Sequence, residues 1–260
     1  MKKLIAIFLS LSSISAFADT GVRVGVGASG LTGFDVVVGF YNKSLDNYFL
    51  RHFGVRADFA STDPLKSALD SAIDSVMRDG VSVGNGVKID NGMLDAWHSS
   101  LLLDFYPFAG AWHITGGYTW GDAKLSADIF GEIADAPSNR FYFNLAGDHY
   151  YYNGNNFGGA AEIDWKIYGP YLGTGFDIRL FCGFLLFLDA GVVFADETAK
   201  LSLNIPHEQL YMYDKGSDSW NPVIIPALDN DVARATQEAN DKLSDLKLFP
   251  MLKIGFLYHF

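Results

Sequence analysis

From residue 20 onward, hydrophobic and polar positions alternate with period two along much of the chain, the spacing that puts successive side chains on opposite faces of a β-strand. In residues 22–27 the three valines share one face and Arg23, Gly25 and Gly27 take the other. Phe34, Val36, Val38 and Phe40 alternate with Asp35, Val37, Gly39 and Tyr41, and Phe53, Val55, Ala57 and Phe59 alternate with Gly54, Arg56 and Asp58. Leu101, Leu103 and Phe105 oppose Leu102, Asp104 and Tyr106, while Trp112, Ile114, Tyr118 and Trp120 oppose His113, Thr115 and Thr119. Phe184, Leu186, Leu188, Val192 and Phe194 oppose Asp189 and Gly191, and Leu252, Ile254, Phe256, Tyr258 and Phe260 oppose Lys253, Gly255 and His259. With the weaker alternation of residues 168–176, the pattern predicts eight strands.

The links fall into two alternating classes: 42–49, 107–111 and 178–181 are short, whereas 61–94, 125–165 and 199–246 are long. Two long links carry helical spacing. Asp63 and Pro64 offer an N-cap and an N1 proline to a stripe of Leu65, Leu69, Ala72, Ile73 and Val76 that Gly80 can close. Val232, Ala235, Ala239, Leu243 and Leu246 form a second stripe, with Asp229 as its expected cap. The two helices are expected to pack on each other as a lid, the alternative being that one stripe faces a partner. The middle link holds Phe141-Tyr142-Phe143, His149-Tyr150-Tyr151-Tyr152 and Asn153-Gly154-Asn155-Asn156. It reads either as aromatic anchors at the lipid headgroups or as a hairpin on the rim suited to contacts. Were that hairpin to cross the membrane, the strand count would be ten, which the weak alternation of residues 125–130 disfavours.

Composition narrows the function classes. Aromatics at 15%, 27 Gly and only 19% charged residues exclude a disordered chain and suit strands joined by tight turns. A formal charge of −11 excludes a nucleic-acid binder, which needs a basic face to neutralise phosphates. The single cysteine, Cys182, excludes an internal disulfide and a cysteine-cluster metal site, and no cofactor motif occurs. At the N-terminus, Lys2 and Lys3 precede an apolar run over residues 4–15, and Ala16 and Ala18 supply small residues at −3 and −1 of a signal-peptidase site. The expected organisation is a cleaved signal over residues 1–18 and one domain over 19–260.

A soluble sandwich alternates too, but it buries its apolar face, whereas a membrane barrel turns that face to lipid and lines its interior with the mixed one. Aromatics near the segment ends (Tyr106, Phe108, Trp112, Trp120 and Tyr258) and loop lengths segregated by end favour the barrel. Lys253-Ile254-Gly255-Phe256-Leu257-Tyr258-His259-Phe260 resembles the C-terminal assembly signal of Gram-negative outer-membrane barrels, with Lys253, Gly255, Tyr258 and Phe260 at its defined positions. Residues 101–108, residues 170–175 and the acidic stretch 231–246 before the terminal strand resemble a family of small, porin-like, OmpA/OmpX-type proteobacterial outer-membrane barrels. That resemblance implies an all-β, transmembrane, antiparallel up-and-down barrel with short helices in long extracellular loops. It further implies export to the outer membrane, lipid as solvent, and periplasmic chaperones and the barrel-assembly machinery as partners. A monomer is expected, and the resemblance names no extracellular ligand.

An eight-stranded barrel has an interior that side chains fill. The inward set holds Arg23, Arg56 and Lys253 against Asp35, Asp58, Asp104 and Asp189, a near-balanced group expected to pair across a closed lumen. The expected role is structural or surface contact through the loops. Its rivals are a small-solute porin and a lipid-modifying enzyme. A catalytic or ion-conducting constellation of His52, His113 and these carboxylates is the alternative use of the interior. No catalytic residues are assigned: in Trp97-His98-Ser99-Ser100 the neighbouring His98 and Ser99 point to opposite faces of a strand.

Overall fold

The computed structural model describes residues 21–77, 81–84, 87–131, 140–153, 158–245 and 247–260. The signal-peptide reading, with Ala16 and Ala18, falls outside them, as do Gly80, Leu246 and the turn signal at Gly154-Asn155-Asn156. In chain order the strands are β1 (Val22–Ser29), β2 (Gly33–Tyr41), β3 (Phe53–Ser61), β4 (Val81–Gly84), β5 (Val87–Phe105), β6 (Trp112–Gly131), β7 (Arg140–Leu145) and β8 (Asp148–Asn153). They continue as β9 (Gly159–Lys166), β10 (Gly169–Arg179), β11 (Phe184–Phe194), β12 (Lys200–Asn204), β13 (Leu210–Asp214), β14 (Ser219–Pro222) and β15 (Leu248–His259). The helices are α1 (Lys66–Met77) and α2 (Ile225–Leu243).

Eight strands close a ring in the order β1-β2-β3-β5-β6-β10-β11-β15, with β15 paired antiparallel to β1 and β5 to β6. Each corresponds to one of the alternating segments, and every pairing is antiparallel. The alternation sorts as a barrel requires. Val38, Leu101, Leu172, Leu252 and Phe256 are each more than half exposed, while Asp35, His113, Asp189 and Lys253 on the opposite parity are buried. A sandwich would invert this, because water would meet the charges and the core would take the leucines. Exposed Tyr48, Phe49, Phe108 and Phe181 cluster at the short turns, where an interfacial girdle belongs. Tyr106 does not join them; it is 1% exposed and points inward, because its parity follows Leu102 and Asp104. Among the described residues no helix is long and apolar enough to cross a membrane.

β5 and β6 run on beyond the ring, at 19 and 20 residues against the roughly 9–11 a tilted strand needs to cross a bilayer. The upper half of β6 pairs with β9 instead of β10, and β12 adds outside β9. The aromatic middle segment is a hairpin, β7–β8, turned at Ala146-Gly147 with both residues at positive φ, a conformation that matches the twist of a two-residue hairpin loop. With β13 and β14 it makes a separate four-stranded sheet above the barrel, so the ring stays at eight. Phe143, Leu145, Tyr150 and Tyr152 are buried with Ile129, Leu210 and Leu228. These aromatics are therefore a core and not headgroup anchors.

Both helices also depart from the expectation. α1 lies against β5, and α2 lies on β12 and β7, with Leu228, Val232 and Ala235 turned to the aromatic core. Neither is the other's main support. The expected caps are displaced as well: Asp63 sits inside a 3-10 turn that leads into α1, and Asp229 lies inside α2, whose first turn contains Pro226.

Candidate functional site

The seven inward charges predicted from parity are all buried, each 6% exposed or less. The ring brings them together with Asp177, His98, His113 and Tyr106. Arg56 on β3 holds Asp189 on β11 at 2.5 Å and Asp104 on β5 at 3.3 Å. β3 and β11 stand four strands apart in a ring of eight, so the Arg56 and Asp189 side chains together bridge opposite walls of the lumen. Thr115 donates to Asp104 at 2.6 Å, and His113 Nε2 lies 3.0 Å from Asp189. Gly175 makes room for that pair, since a Cβ there would overlap the Asp189 carboxylate.

Lys253 on β15 bonds Asp58 on β3 at 2.6 Å, and His98 Nε2 stands 3.3 Å from the other Asp58 oxygen while its Nδ1 meets the Thr32 hydroxyl at 2.8 Å. Towards the short turns, Arg23 pairs with Asp177 at 2.5 Å and is capped by rings: its guanidinium carbon lies 4.5 Å from the centre of Tyr41, which stacks on Tyr106 at 4.0 Å. The Tyr106 hydroxyl donates to Asp177 at 2.6 Å. The void beside this end is about 10 Å³, at the lower limit for a single water.

Asp35 differs from the other carboxylates. It is fully buried, neither oxygen has a hydrogen-bond partner among the described residues, and its charged neighbours are Lys253, Asp58, Arg56 and Asp189. Among the described residues the lumen thus holds five carboxylates, Asp177 included, against three permanent cations, with two histidines between them. His52 stays outside this cluster, its Nδ1 bonded to the carbonyl of Tyr48 at the short-turn end. His98 is buried inside, and Ser99 belongs to the opposite parity. The constellation of His52, His113 and carboxylates is therefore not assembled, and His98 and Ser99 do not face one another.

At the C-terminus, Lys253 is one of the lumen cations and Tyr258 faces outward. Gly255 pairs with Gly27 on one side and Phe187 on the other, and a Cβ on it would meet the Phe187 ring at 2.5 Å. Its lack of a side chain is what lets the Phe187 ring, 0% exposed, lie across the barrel wall. Phe260 is only 9% exposed, its ring packed edge-on against Tyr258 at 4.7 Å, so it is more covered than its lipid-facing parity predicts.

Asp177 and His98 lie one or two residues beyond the alternating segments that the sequence predicts for their strands. Carried on, the parity of Tyr171, Gly173 and Gly175 puts Asp177 inside, and that of Leu102 and Asp104 puts His98 inside.

No family profile matches the sequence, and no curated protein matches it. The fold is similar to two crystal structures from Acinetobacter baumannii, CarO2 and CarO. Each superposes at a TM-score of 0.51 over 92% of this chain, covering 99% and 98% of those chains at 16% and 15% identity. A major outer membrane protein from Thermus thermophilus aligns over 92% of the chain at a TM-score of 0.35 and 16% identity, a likeness too weak to add to the argument. Ring closure, the outward apolar belt and the likeness to CarO agree on one conclusion: this chain folds as an eight-stranded, antiparallel, up-and-down transmembrane β-barrel, the fold of outer-membrane barrel proteins.

Proposed function

We propose that the protein is an integral, monomeric outer-membrane barrel with a closed, charge-paired lumen, whose role is structural or is surface contact through the assembly above the ring. The observation that carries this reading is the Arg56 strut, which reaches the opposite wall at Asp189 while Asp104 on the neighbouring strand steadies it, and which is reinforced by Lys253–Asp58 and Arg23–Asp177. Such struts occupy the path that a solute would need, and an eight-stranded barrel has no spare width around them. On this reading the carboxylates and histidines serve pairing and not a reaction. The chain is exported through the secretory pathway, handed over by periplasmic chaperones and inserted by the barrel-assembly machinery, with outer-membrane lipid as its solvent.

Planar-bilayer recording of the purified protein tests the reading. A silent bilayer, from protein that shows heat-modifiable migration on a detergent gel, is the expected result. Stable conductance steps would overturn the closed lumen in favour of a porin, and a mature protein that stays soluble in the periplasm without detergent would overturn the membrane reading altogether.

A further inference from the structure

The four-stranded sheet above the ring has two unlike faces. Phe143, Tyr150 and Leu210 face the core under α2. The alternate positions, Tyr142, Asn144, His149, Tyr213 and Trp220, line a cavity of about 230 Å³, to which Phe143 and Tyr150 also contribute. We propose that this cavity is a binding cage for a quaternary ammonium group, walled by Tyr142, Tyr213 and Trp220.

The ring geometry is that of a box and not of a flat shelf. Tyr142 and Trp220 meet at 60° with centres 5.6 Å apart, Tyr213 and Trp220 at 52° and 5.2 Å, and His149 and Tyr213 at 71° and 6.5 Å. A flat row of rings suits the face of a sugar. Steeply inclined rings bring several electron-rich faces to bear on one compact cation, the arrangement that recognises quaternary ammonium ligands. The lining also selects among cations. Several of its hydrogen-bonding groups are already engaged: Asn144 and His149 bond each other, Tyr150 donates to Asp231 and Tyr213 donates to Asp218. A primary ammonium has three N–H groups whose hydration must be replaced, which makes it the costlier guest between ring faces. A quaternary nitrogen has no N–H to satisfy and loses little.

Charge complementarity points the same way. The Asp218 carboxylate accepts the hydrogen bond of the Tyr213 hydroxyl, which makes that ring more electron-rich, and the whole chain carries −11. Arg234 on the helix of the core face is engaged with Asp231 at 2.8 Å and Asp148 at 3.5 Å. The cavity is smaller than the roughly 300–1,000 Å³ of sites that enclose drug-sized molecules, which suits a headgroup.

The inference rests on the surface-contact part of the proposed function and is independent of the closed lumen. Its test titrates choline chloride into the full chain held in a polyoxyethylene detergent, which carries neither sugar nor ammonium, and follows tryptophan fluorescence and heat. Saturable binding is expected. The neutral isostere 3,3-dimethylbutan-1-ol should bind at least about tenfold more weakly, as should choline to Trp220→Leu, while Trp220→Phe keeps a ring face and stays within about threefold. Glycerophosphocholine binding more tightly than choline would identify a lipid headgroup as the natural source; equal or weaker binding would identify a free solute. No saturable choline binding below about 10 mM, a neutral isostere that binds equally, or methyl glucoside binding in place of choline would each overturn the proposal. Should Trp220→Leu lose its heat-modifiable band, the choline and isostere pair on the unaltered chain decides alone. A conducting barrel that still binds choline would sink the closed lumen and leave the cage standing.

Discussion

Removing Arg56 is the sharpest perturbation of the barrel interior. In Arg56→Ala the lumen keeps five carboxylates against two permanent cations, and the two carboxylates that Arg56 held are left with one strong partner each: Thr115 for Asp104 and His113 for Asp189. Breaking a buried pair from one side costs about 3–5 kcal/mol, because the surviving charge stays desolvated. Here two charges are stranded, so the upper end of that range applies, a large share of the roughly 5–15 kcal/mol that holds a typical domain. The assay is urea unfolding and refolding in detergent micelles, read by the heat-modifiable gel shift. The arginine side chain is only 7% exposed, so the loss should persist at about 1 M salt, where an exposed pair would already be screened. Adding Asp104→Asn and Asp189→Asn to Arg56→Ala should recover most of the loss, since neutral amides are much cheaper to leave in place. A loss below about 1 kcal/mol, or a triple variant less stable than the single one, would refute the idea that paired charge holds the lumen shut.

Other substitutions separate the remaining roles. Asp35→Asn should stabilise the fold by about 1–3 kcal/mol and so raise the urea midpoint, because it removes a buried carboxylate with no hydrogen-bond partner among the described residues; a lower midpoint would show that Asp35 is a needed counterion of Lys253. Lys253→Ala should weaken refolded protein by about 3–5 kcal/mol through Asp58, whereas deletion of Phe260 should impair insertion in cells more than refolding into detergent. The reverse order for Phe260, measured by comparing outer-membrane yield with refolded yield, would remove its assembly role. Gly255→Ala forces a methyl against the Phe187 ring and against the backbone of Val26 and Gly27 and should cost about 1–3 kcal/mol that Phe187→Leu does not restore; unchanged refolded stability with reduced insertion in cells would mean the glycine serves the assembly machinery and not the packing.

The ring was legible because a barrel strand has two solvents, lipid outside and a paired interior inside, and each enforces its own residue type at every second position. Val36, Val38 and Phe40 against Asp35, Val37 and Tyr41 leave no other register. The signal fades where the two solvents stop. In β9 every residue from Ala160 to Lys166 is half-buried, so nothing in the sequence distinguishes its faces. The second sheet was visible only as a cluster of aromatics. That cluster alone does not say whether Tyr150 meets a headgroup or a helix, and it is the contact with Leu228 and the hydrogen bond to Asp231 that decide. The lumen network was half legible for a related reason: parity names which side chains point inward, but Arg23 finds Asp177 only through the curvature of the closed ring.

The length of β5 and β6 has a mechanical consequence. About eleven residues of β6 above Trp120 extend some 36 Å along the strand at roughly 3.3 Å each. With the roughly 35–45° tilt of barrel strands, that lifts the tip about 25–30 Å above the ring. The second sheet is moored at this tip through Ile129, so a load applied there runs down β6. β6 is bonded along its length to β5 on one flank and to β9 and β10 on the other, so a pull along its axis loads many hydrogen bonds in shear at once instead of peeling them one by one. The projection behaves as a spar, able to carry tension from whatever is held at its tip into a barrel wall that closes on itself.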